Sequence, residues 1–457
     1  MTVYLLFHAE SEHAYHLAID AMRWLRLREH DADGSGVGLP VYFRTRPIPK
    51  DGGPESDDPR HLAEWALSTV SPSIDLDASH IVLVPIVDDA MVMDEAWRNT
   101  LMALARLAAV RKHALASDQE LKDLAENPKK RRLELDAPIV ALPPKPESDD
   151  SWRFVSILPV MADRSFSALG AFSELHNPIR IWNPEDTHPG EKPPDEPEAK
   201  ELEGLNPKER NALKELTKKT LEAWREQRYT PWRKKRALRL RRALTETMVR
   251  DVDEASWLRA GHPAPHRPGR LKVFISHAKA DGEKIAQLIR DGLAGVSKLE
   301  PWFDQNDLQA GKAWDVPMEA AAGGSSGGMI AVVTDAYPSR PWCWREASAA
   351  RTPVDVSRRS RIATDGAVPT GTQAFSVLPA VAVHVAEQTW TRTPPSLSNV
   401  PRIGWPPEPR EPEKGETGVE LAGHRFVKEW NQLVKERVAD IVDRLLLELL
   451  MHRVFHL

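Results

Sequence analysis

The most constraining feature of this sequence is an internal repeat. Five short segments within residues 3–184 recur in the same order between residues 272 and 407. The pairs are Val3–Ser11 with Lys272–Ala280, Leu39–Thr45 with Leu299–Gln305, Ile81–Ala90 with Met329–Ala336, Phe154–Pro159 with Ala374–Pro379, and Ile179–Pro184 with Pro401–Pro407. A preserved order of matches indicates a duplicated structural unit, so we expect two similar folds in one chain.

Within each copy, short apolar runs alternate with amphipathic segments. This alternation predicts strand–helix units and a mostly parallel sheet. In the second copy, Ile285, Leu288, Ile289 and Leu293 fall at helical spacing and predict a helix with one core-facing stripe.

Polar, proline-rich segments mark the joints between domains, since such segments are typical of linkers. They lie at Asn183–Glu198, Gly261–Gly269 and Trp405–Lys414. The predicted parts are a domain at 1–195, a Pro-rich linker and basic helical connector at 196–265, a domain at 266–410, and a C-terminal amphipathic helix at 411–457. Asn206 followed by Pro207 and Glu209 predicts a capped helix start in the connector.

Charge and composition exclude several classes of protein. The chain has 62 Lys and Arg against 67 Asp and Glu, which argues against a dedicated nucleic-acid binder. The single cysteine, Cys343, excludes an intramolecular disulfide and a Cys-rich zinc site. No long uncharged apolar run and no targeting segment are found, so we expect a cytoplasmic protein with no membrane partner.

The connector carries a dense positive run interleaved with aromatic residues. Its basic members are Arg225, Arg228, Arg233, Lys234, Lys235, Arg236, Arg239, Arg241 and Arg242. Such a pattern suits nucleic acid or a phosphorylated ligand. The overall negative charge favours the simpler interpretation, a solvated helix face, and nucleic acid stays a minor alternative.

Three motifs in the second copy resemble those of Toll/interleukin-1 receptor (TIR) domains. They are Val273–Asp281, Trp302–Trp314 and Pro341–Ser348, in the order of that family's first box, the loop after its second strand, and its catalytic helix. The resemblance covers Leu271 to about Ile403. It implies an α/β fold of two flavodoxin-like (TIR-like), mostly parallel sheets in tandem, each with an appended helical segment. Many family members cleave NAD, and others are adaptors.

Glu346 is the candidate catalytic residue, because it matches the acidic residue of the family's motif. Nicotinamide leaves NAD as a neutral molecule, so one carboxylate that stabilises the ribose cation suffices. Trp342 lies four residues earlier, on the same face of a helix, and is a candidate substrate-binding residue. The alternative for Glu346 is a solvated glutamate near a helix start. Cys343 is expected to be buried and not to act as a nucleophile.

Two further groups are candidate substrate-binding residues. Ser276, His277 and Lys279 follow a strand's carboxyl end, where ligands bind in open α/β sheets. Gly311, Lys312 and Trp314 belong to the loop that the resemblance places over the nucleotide or against a neighbouring domain, with a plain surface turn as the alternative. No metal and no cofactor are expected, since NAD is the substrate.

The first copy departs from this pattern. Aligning Ala96–Asn99 with Cys343–Glu346 puts Asn99 in the place of Glu346 and Glu95 in the place of Trp342. A shift by one residue puts Thr100 there instead, which is also not an acid. We expect a degenerate, catalytically inactive TIR-like domain with a regulatory, ligand-sensing or assembly role, where an activating partner or ligand binds.

The sequence therefore predicts an NAD glycohydrolase that releases nicotinamide and either ADP-ribose or a cyclic isomer. The resemblance further implies activation by self-association and a role in antiviral defence or cell suicide. The alternative is a non-catalytic TIR assembly or signalling scaffold.

Overall fold

The computed structural model of the protein describes residues 1–26, 38–46, 80–102, 104, 139–142, 153–169, 178–183, 197, 199–259, 270–296, 299–302, 327–352, 354–355, 375–385, 393–407 and 419–455. The chain divides into two compact units. The first contains Met1–Arg26 and Leu39–Leu244, and the second consists mainly of Thr245–Leu457. The division falls within one long helix. The domain boundaries proposed from the sequence stay predictions.

The first unit is a sheet with helices around it. The strands are β1 (Thr2–Leu6), β2 (Val41–Arg44), β3 (His80–Val87), β4 (Ile139–Leu142), β5 (Arg153–Ile157), β6 (Val160–Met161) and β7 (Ile179–Arg180). The helices are α1 (Glu12–Arg26), α2 (Asp89–Met93), α3 (Ala199–Leu202), α4 (Pro207–Trp224) and the first part of α5 (Thr230–Arg259). Residues 95–102 are also helical.

The parallel strands of the first sheet follow the flavodoxin-like order. The sheet path is β2-β1-β3-β5-β4, in which β4 alone is antiparallel to its neighbour. Beyond β5, β6 continues alongside β3 and pairs with β7 in parallel. With β5 and β6 counted as one interrupted strand, the order is 2-1-3-4-5.

The second unit repeats this arrangement. The strands are β8 (Leu271–His277), β9 (Leu299–Trp302), β10 (Gly328–Val333), β11 (Val354–Asp355), β12 (Phe375–Ser376), β13 (Ala380–His384) and β14 (Arg402–Gly404). The helices are α6 (Glu283–Ala294), α7 (Pro341–Arg351) and α8 (Val419–Phe455). The main sheet is parallel throughout, in the order β14-β13-β10-β8-β9, and β11 and β12 form a separate antiparallel pair. The predicted α/β fold with two mostly parallel sheets in tandem is confirmed.

The cores form where the sequence is most apolar. All residues of β3 and of β10 are buried, as expected for central parallel strands covered on both faces. In α6 the buried face contains Ile285, Ala286, Ile289 and Leu293. Leu288, which we placed in this stripe, is 39% exposed, because it lies about 60° outside the buried face at helical spacing.

The C-terminal helix packs on the second sheet. α8 contacts α6, β10 and β13. The sequence predicts an apolar stripe on this helix that includes Leu433, Val434, Ile441, Leu445 and Leu449; the last four are buried, but Leu433 is 42% exposed. Two glycines permit this approach. A Cβ at Gly292 of α6 would clash with Val438 Cγ1, and one at Gly328 of β10 would lie 3.2 Å from Leu445 Cδ1. Among the described residues, no helix combines the length and apolarity needed to cross a membrane.

The predicted helix start in the connector is confirmed. Asn206 Oδ1 accepts hydrogen bonds from the backbone N–H groups of Lys208 and Glu209, and Glu209 Oε2 accepts one from the N–H of Asn206. This capping box begins α4, which continues through a π-helical turn, Arg225–Tyr229, into α5.

Replacing Gly292 by Ala is expected to destabilise the second unit by about 1–3 kcal/mol, because the new methyl group overpacks the contact between α6 and α8. Urea unfolding of the full chain measures the change. Gly295→Ala is the matched control, since a Cβ there meets only the backbone oxygen of Gly292 at 3.4 Å. Equal loss of stability in the two variants would contradict this account of the contact.

Candidate active site

Glu346 lies on the buried face of α7. The helix begins after Arg340 with Pro341 as its first residue, a favourable start because proline lacks the N–H that no intrahelical acceptor would use. Its buried residues are Cys343, Glu346, Ala347 and Ala350. The Glu346 side chain is only 6% exposed, so a carboxylate is placed in the interior next to β8. The alternative of a solvated helix glutamate does not fit this position.

A chain of hydroxyl groups leads to the Glu346 carboxylate. Ser276 Oγ, near the carboxyl end of β8, donates to Glu346 Oε2 at 2.5 Å. The same Oγ lies 2.8 Å from the hydroxyl oxygen of Tyr337. Because the Ser276 proton is directed to the carboxylate, the Tyr337 hydroxyl is the donor to Ser276, and the Cys343 backbone oxygen, 3.4 Å from that hydroxyl, is its more distant acceptor. Ser276 is 1% exposed and Tyr337 is 0% exposed, so this series of hydrogen-bonded hydroxyl groups is shielded from water.

Burial sets the protonation of the neighbouring groups. It raises the pKa of the Tyr337 hydroxyl well above its usual value, and the negative charge of Glu346 acts in the same direction. Burial, followed by the charge of Glu346, raises the pKa of the Cys343 thiol to about 12. Tyr337 therefore remains a proton donor at neutral pH, and Cys343 remains a thiol. This agrees with the expectation that Cys343 is not a nucleophile.

Comparison with known proteins identifies the segment that holds this site. Residues 273–364 match the family model of the TIR domain. The second unit contains a TIR domain. No curated protein shows a significant match to the chain. The chain is also similar to a solved structure of TIR domains, those of the activated Roq1 resistosome, which directly recognises the pathogen effector XopQ. The two sequences are 17% identical, and the match covers 37% of this chain and 84% of that chain with a TM-score of 0.19.

Two tryptophans precede Glu346 in α7. Trp342 is half-buried, and the guanidinium carbon of Arg345 lies 5.1 Å from its ring centroid, a cation–π contact. Trp344 is 39% exposed, and its indole N–H donates to the backbone oxygen of Pro338 at 2.6 Å. The role of Trp342 in substrate binding stays a prediction.

The other predicted site residues of the TIR domain fall into three groups. Ser276 is in contact with Glu346, but its hydroxyl is buried and used within the domain, which suits a positioning role rather than contact with a phosphate. His277 is 9% exposed and its backbone oxygen accepts from the Cys343 thiol at 3.7 Å, whereas Lys279 is exposed in the turn after β8. Gly311, Lys312 and Trp314 lie outside the described residues.

Two residues of this site were missed from the sequence. Tyr337 lies four residues after the end of β10, and its position beyond the carboxyl end of a central strand is the signal that marks it. Asp281 joins the turn after β8 to the end of β10, since it accepts from Thr334 Oγ1 at 2.5 Å and from the Ala336 N–H at 3.0 Å.

The structure corrects the alignment of the first unit with α7. Asp94 caps the helix at 95–102 by accepting from the Ala96 and Trp97 N–H groups, so it corresponds to Arg340 at the start of α7. Six residues on, Thr100 is buried at 1% exposure, as Glu346 is, whereas Asn99 is exposed. Thr100, not Asn99, occupies the place of Glu346, and its hydroxyl donates to the Ala96 oxygen at 2.9 Å.

Much of the basic run in the connector packs on the first unit. Arg236 is buried with its guanidinium 4.6 Å from the Trp232 ring centroid, and Arg241 lies 4.2 Å from that of Trp24. Arg233 pairs with Asp20 at 3.9 Å. The exposed members are Arg225, Arg228, Lys234 and Lys235. The contacts favour a structural role for the run over a nucleic-acid surface.

His384 lies at the end of β13, on the same sheet edge as Ser276, and is 1% exposed. Burial, followed by the positive charge of Arg402, lowers its pKa from 6.5 to about 4. The unfolded chain therefore binds a proton between these values that the folded chain does not bind. Stability is expected to fall as the pH is lowered through this window, by up to about 1.4 kcal/mol per pH unit.

This pH dependence is measured by urea unfolding at about pH 7.5 and about pH 5. The variant His384→Phe cannot titrate, so its stability should change less between the two values, whatever its absolute stability. Exposed histidines contribute equally to parent and variant. An identical pH dependence in both proteins would show that His384 is not the source.

Proposed function

We propose that this protein cleaves the bond between nicotinamide and ribose in NAD. The observation that carries the proposal is the buried Glu346 carboxylate, oriented by Ser276 beside the carboxyl edge of the parallel sheet in the TIR domain. Ligands bind at this edge in open α/β sheets. The TIR family includes NAD-cleaving enzymes. The products are nicotinamide and either ADP-ribose or a cyclic isomer of it.

The chemistry needs one negative charge. When the glycosidic C–N bond breaks, its electron pair goes to the pyridinium nitrogen, so nicotinamide leaves neutral and needs no acid. The ribose carbon becomes cation-like, and a carboxylate in a water-poor site stabilises it far more than one in solvent. Water that adds to this carbon and loses a proton gives ADP-ribose. An adenine nitrogen or ribose hydroxyl that adds instead gives a cyclic product.

The hydroxyl chain would fix the carboxylate in advance. Tyr337 donates to Ser276, and Ser276 donates to Glu346 Oε2, so the direction of that oxygen is set before substrate arrives. Fixed groups need no reorganisation when charge develops. Trp342 would supply an aromatic surface for the nicotinamide or ribose ring, on the turn before Glu346.

Self-association is proposed to control this activity. Glu346 is only 6% exposed in the single chain, which supports a resting state in which ribose does not reach the carboxylate. Association of TIR domains would then complete the site, and the first unit would receive the activating ligand or partner. A defence or cell-suicide function would follow from depletion of NAD.

Glu346→Gln is expected to lower nicotinamide release from NAD by at least about 100-fold, because the amide keeps the size of the side chain but lacks its charge. Chromatography of the products measures release and distinguishes linear from cyclic product. Glu300→Gln on the exposed face of β9 is the matched control. Equal release by Glu346→Gln and the parent protein refutes the assignment of Glu346.

Tyr337→Phe is expected to lower kcat by about 10-fold with little change in KM, because the bond from Ser276 to Glu346 stays while its supporting donor is lost. Steady-state kinetics with NAD give the two constants, and thermal unfolding shows whether the fold is kept. Tyr42→Phe, at a residue that is 49% exposed in the first unit, is the control. A rise in KM alone, or unchanged constants, would contradict the positioning role.

A second candidate is a non-catalytic assembly protein. One observation favours it: Ser276 already satisfies a Glu346 oxygen within the domain, as in a structural buried carboxylate. In that case neither the parent protein nor Glu346→Gln releases nicotinamide under conditions where light scattering shows assembly. The same product analysis therefore decides between the two functions.

A further inference from the structure

The second unit has a surface cleft that the proposed NAD chemistry does not use. It lies between the C-terminal turn of α7 and the segment at 395–399, and its volume is about 390 Å³. This volume falls within the range of small-molecule sites, about 300–1,000 Å³. Glu346 is not among the residues that line it.

The lining of the cleft is polar, and none of the described residues that form it is acidic. Its polar members are Ser348, Arg351, Thr352, Ser396, Ser398 and Asn399. Ser396 Oγ is buried and, within the part of the chain that the structure describes, has no hydrogen-bond partner. Buried hydroxyl groups are normally hydrogen-bonded, so Ser396 points to a polar group that a ligand brings.

One arginine lines the cleft, and a second contacts one of the lining residues. Arg351 belongs to its wall, with one guanidinium nitrogen donating to the Leu378 oxygen at 2.8 Å. Arg402 does not line the cleft, but its guanidinium donates to the backbone oxygen of Ser398, which does, at 3.1 Å. Glu448 of α8 acts on Arg351, but it also forms an ion pair with Arg444 at 3.1 Å. Among the described residues around the cleft, the positive charges of Arg351 and Arg402 therefore exceed the negative charge of Glu448.

The end of α7 opposes an anion only weakly. Carbonyl groups at a helix C-terminus carry partial negative charge. Here the Ser348 oxygen accepts from the Thr352 hydroxyl at 2.7 Å, and the Ala350 oxygen accepts from the Leu378 N–H at 3.0 Å. These internal bonds reduce the negative potential that the helix end presents to the cleft.

We propose that this cleft binds a small phosphorylated sugar. The Arg351 guanidinium holds the phosphate, since arginine is suited to phosphate geometry. The serine hydroxyls and the Asn399 amide bind the hydroxyl groups of the sugar, and Ser396 gains its missing partner. Binding here is independent of NAD cleavage, so failure of one proposal leaves the other intact.

Isothermal titration of the full chain with ribose 5-phosphate, inorganic phosphate and ribose tests the proposal. Ribose 5-phosphate is expected to bind at least about 10-fold more tightly than ribose, and also more tightly than inorganic phosphate. Asn399→Asp puts a negative charge on the exposed rim and should weaken binding of ribose 5-phosphate by about 10-fold. Asn431→Asp, the same change at an exposed position of α8, should leave it unchanged.

Two results would overturn the proposal. One is the absence of measurable binding of ribose 5-phosphate to the parent protein at millimolar concentration. The other is equal affinity of the parent protein and Asn399→Asp for ribose 5-phosphate, because a ligand in this cleft must sense a charge at its rim. Both substituted residues are exposed, so neither variant is expected to disturb folding.

Discussion

The hydrogen bond from Ser276 to Glu346 is the interaction on which the candidate site depends. A carboxylate with 6% exposure loses most of its hydration, and a buried charge without hydrogen bonds costs several kcal/mol. Ser276 joins the carboxyl end of β8 to α7, and Tyr337 joins the end of β10 to the same chain. One short network thus fixes the carboxylate and ties together three elements of the TIR domain.

In both units a hydrogen bond between a hydroxyl and a carboxylate joins the loops after two neighbouring strands, but the two groups have exchanged loops. In the first unit, Ser11 after β1 donates its hydroxyl proton to Asp88 after β3, and Asp88 also accepts from the Met91 N–H at 3.0 Å. In the second unit the hydroxyl is on Thr334, after β10, and the carboxylate is on Asp281, after β8. A hydroxyl–carboxylate bond therefore joins corresponding loops in both units. This exchange agrees with duplication of one unit followed by divergence of its side chains.

Repeats and periodicity in the sequence were enough to predict the fold. Contacts between residues far apart in the sequence were not predicted. Ordered repeats and alternating apolar runs were enough for two parallel α/β sheets, and a local motif was enough to select Glu346. The partnership of Ser276 with Glu346 spans 70 positions, and that of Ser276 with Tyr337 spans 61, so no local pattern reveals it. The alignment of Thr100 with Glu346 depends on the helix cap at Asp94. The Trp-Arg pair shared by the two motifs favoured a different alignment, so the sequence did not reveal it. A charge run likewise does not show that Arg236 and Arg241 lie on tryptophan rings.

Comparison of Thr100 with Glu346 shows that a buried glutamate at this position needs hydrogen-bond donors that a threonine does not need. Both residues are buried at corresponding helix positions, and threonine satisfies itself there by donating to the backbone of its own helix. Glutamate at this position requires external donors, because an ionised carboxylate has no proton to donate. The first unit shows that the fold does not require an acid at this point. The presence of Glu346 with Ser276 and Tyr337 in the second unit is therefore not required by the sheet, which supports the proposal that the carboxylate takes part in NAD cleavage.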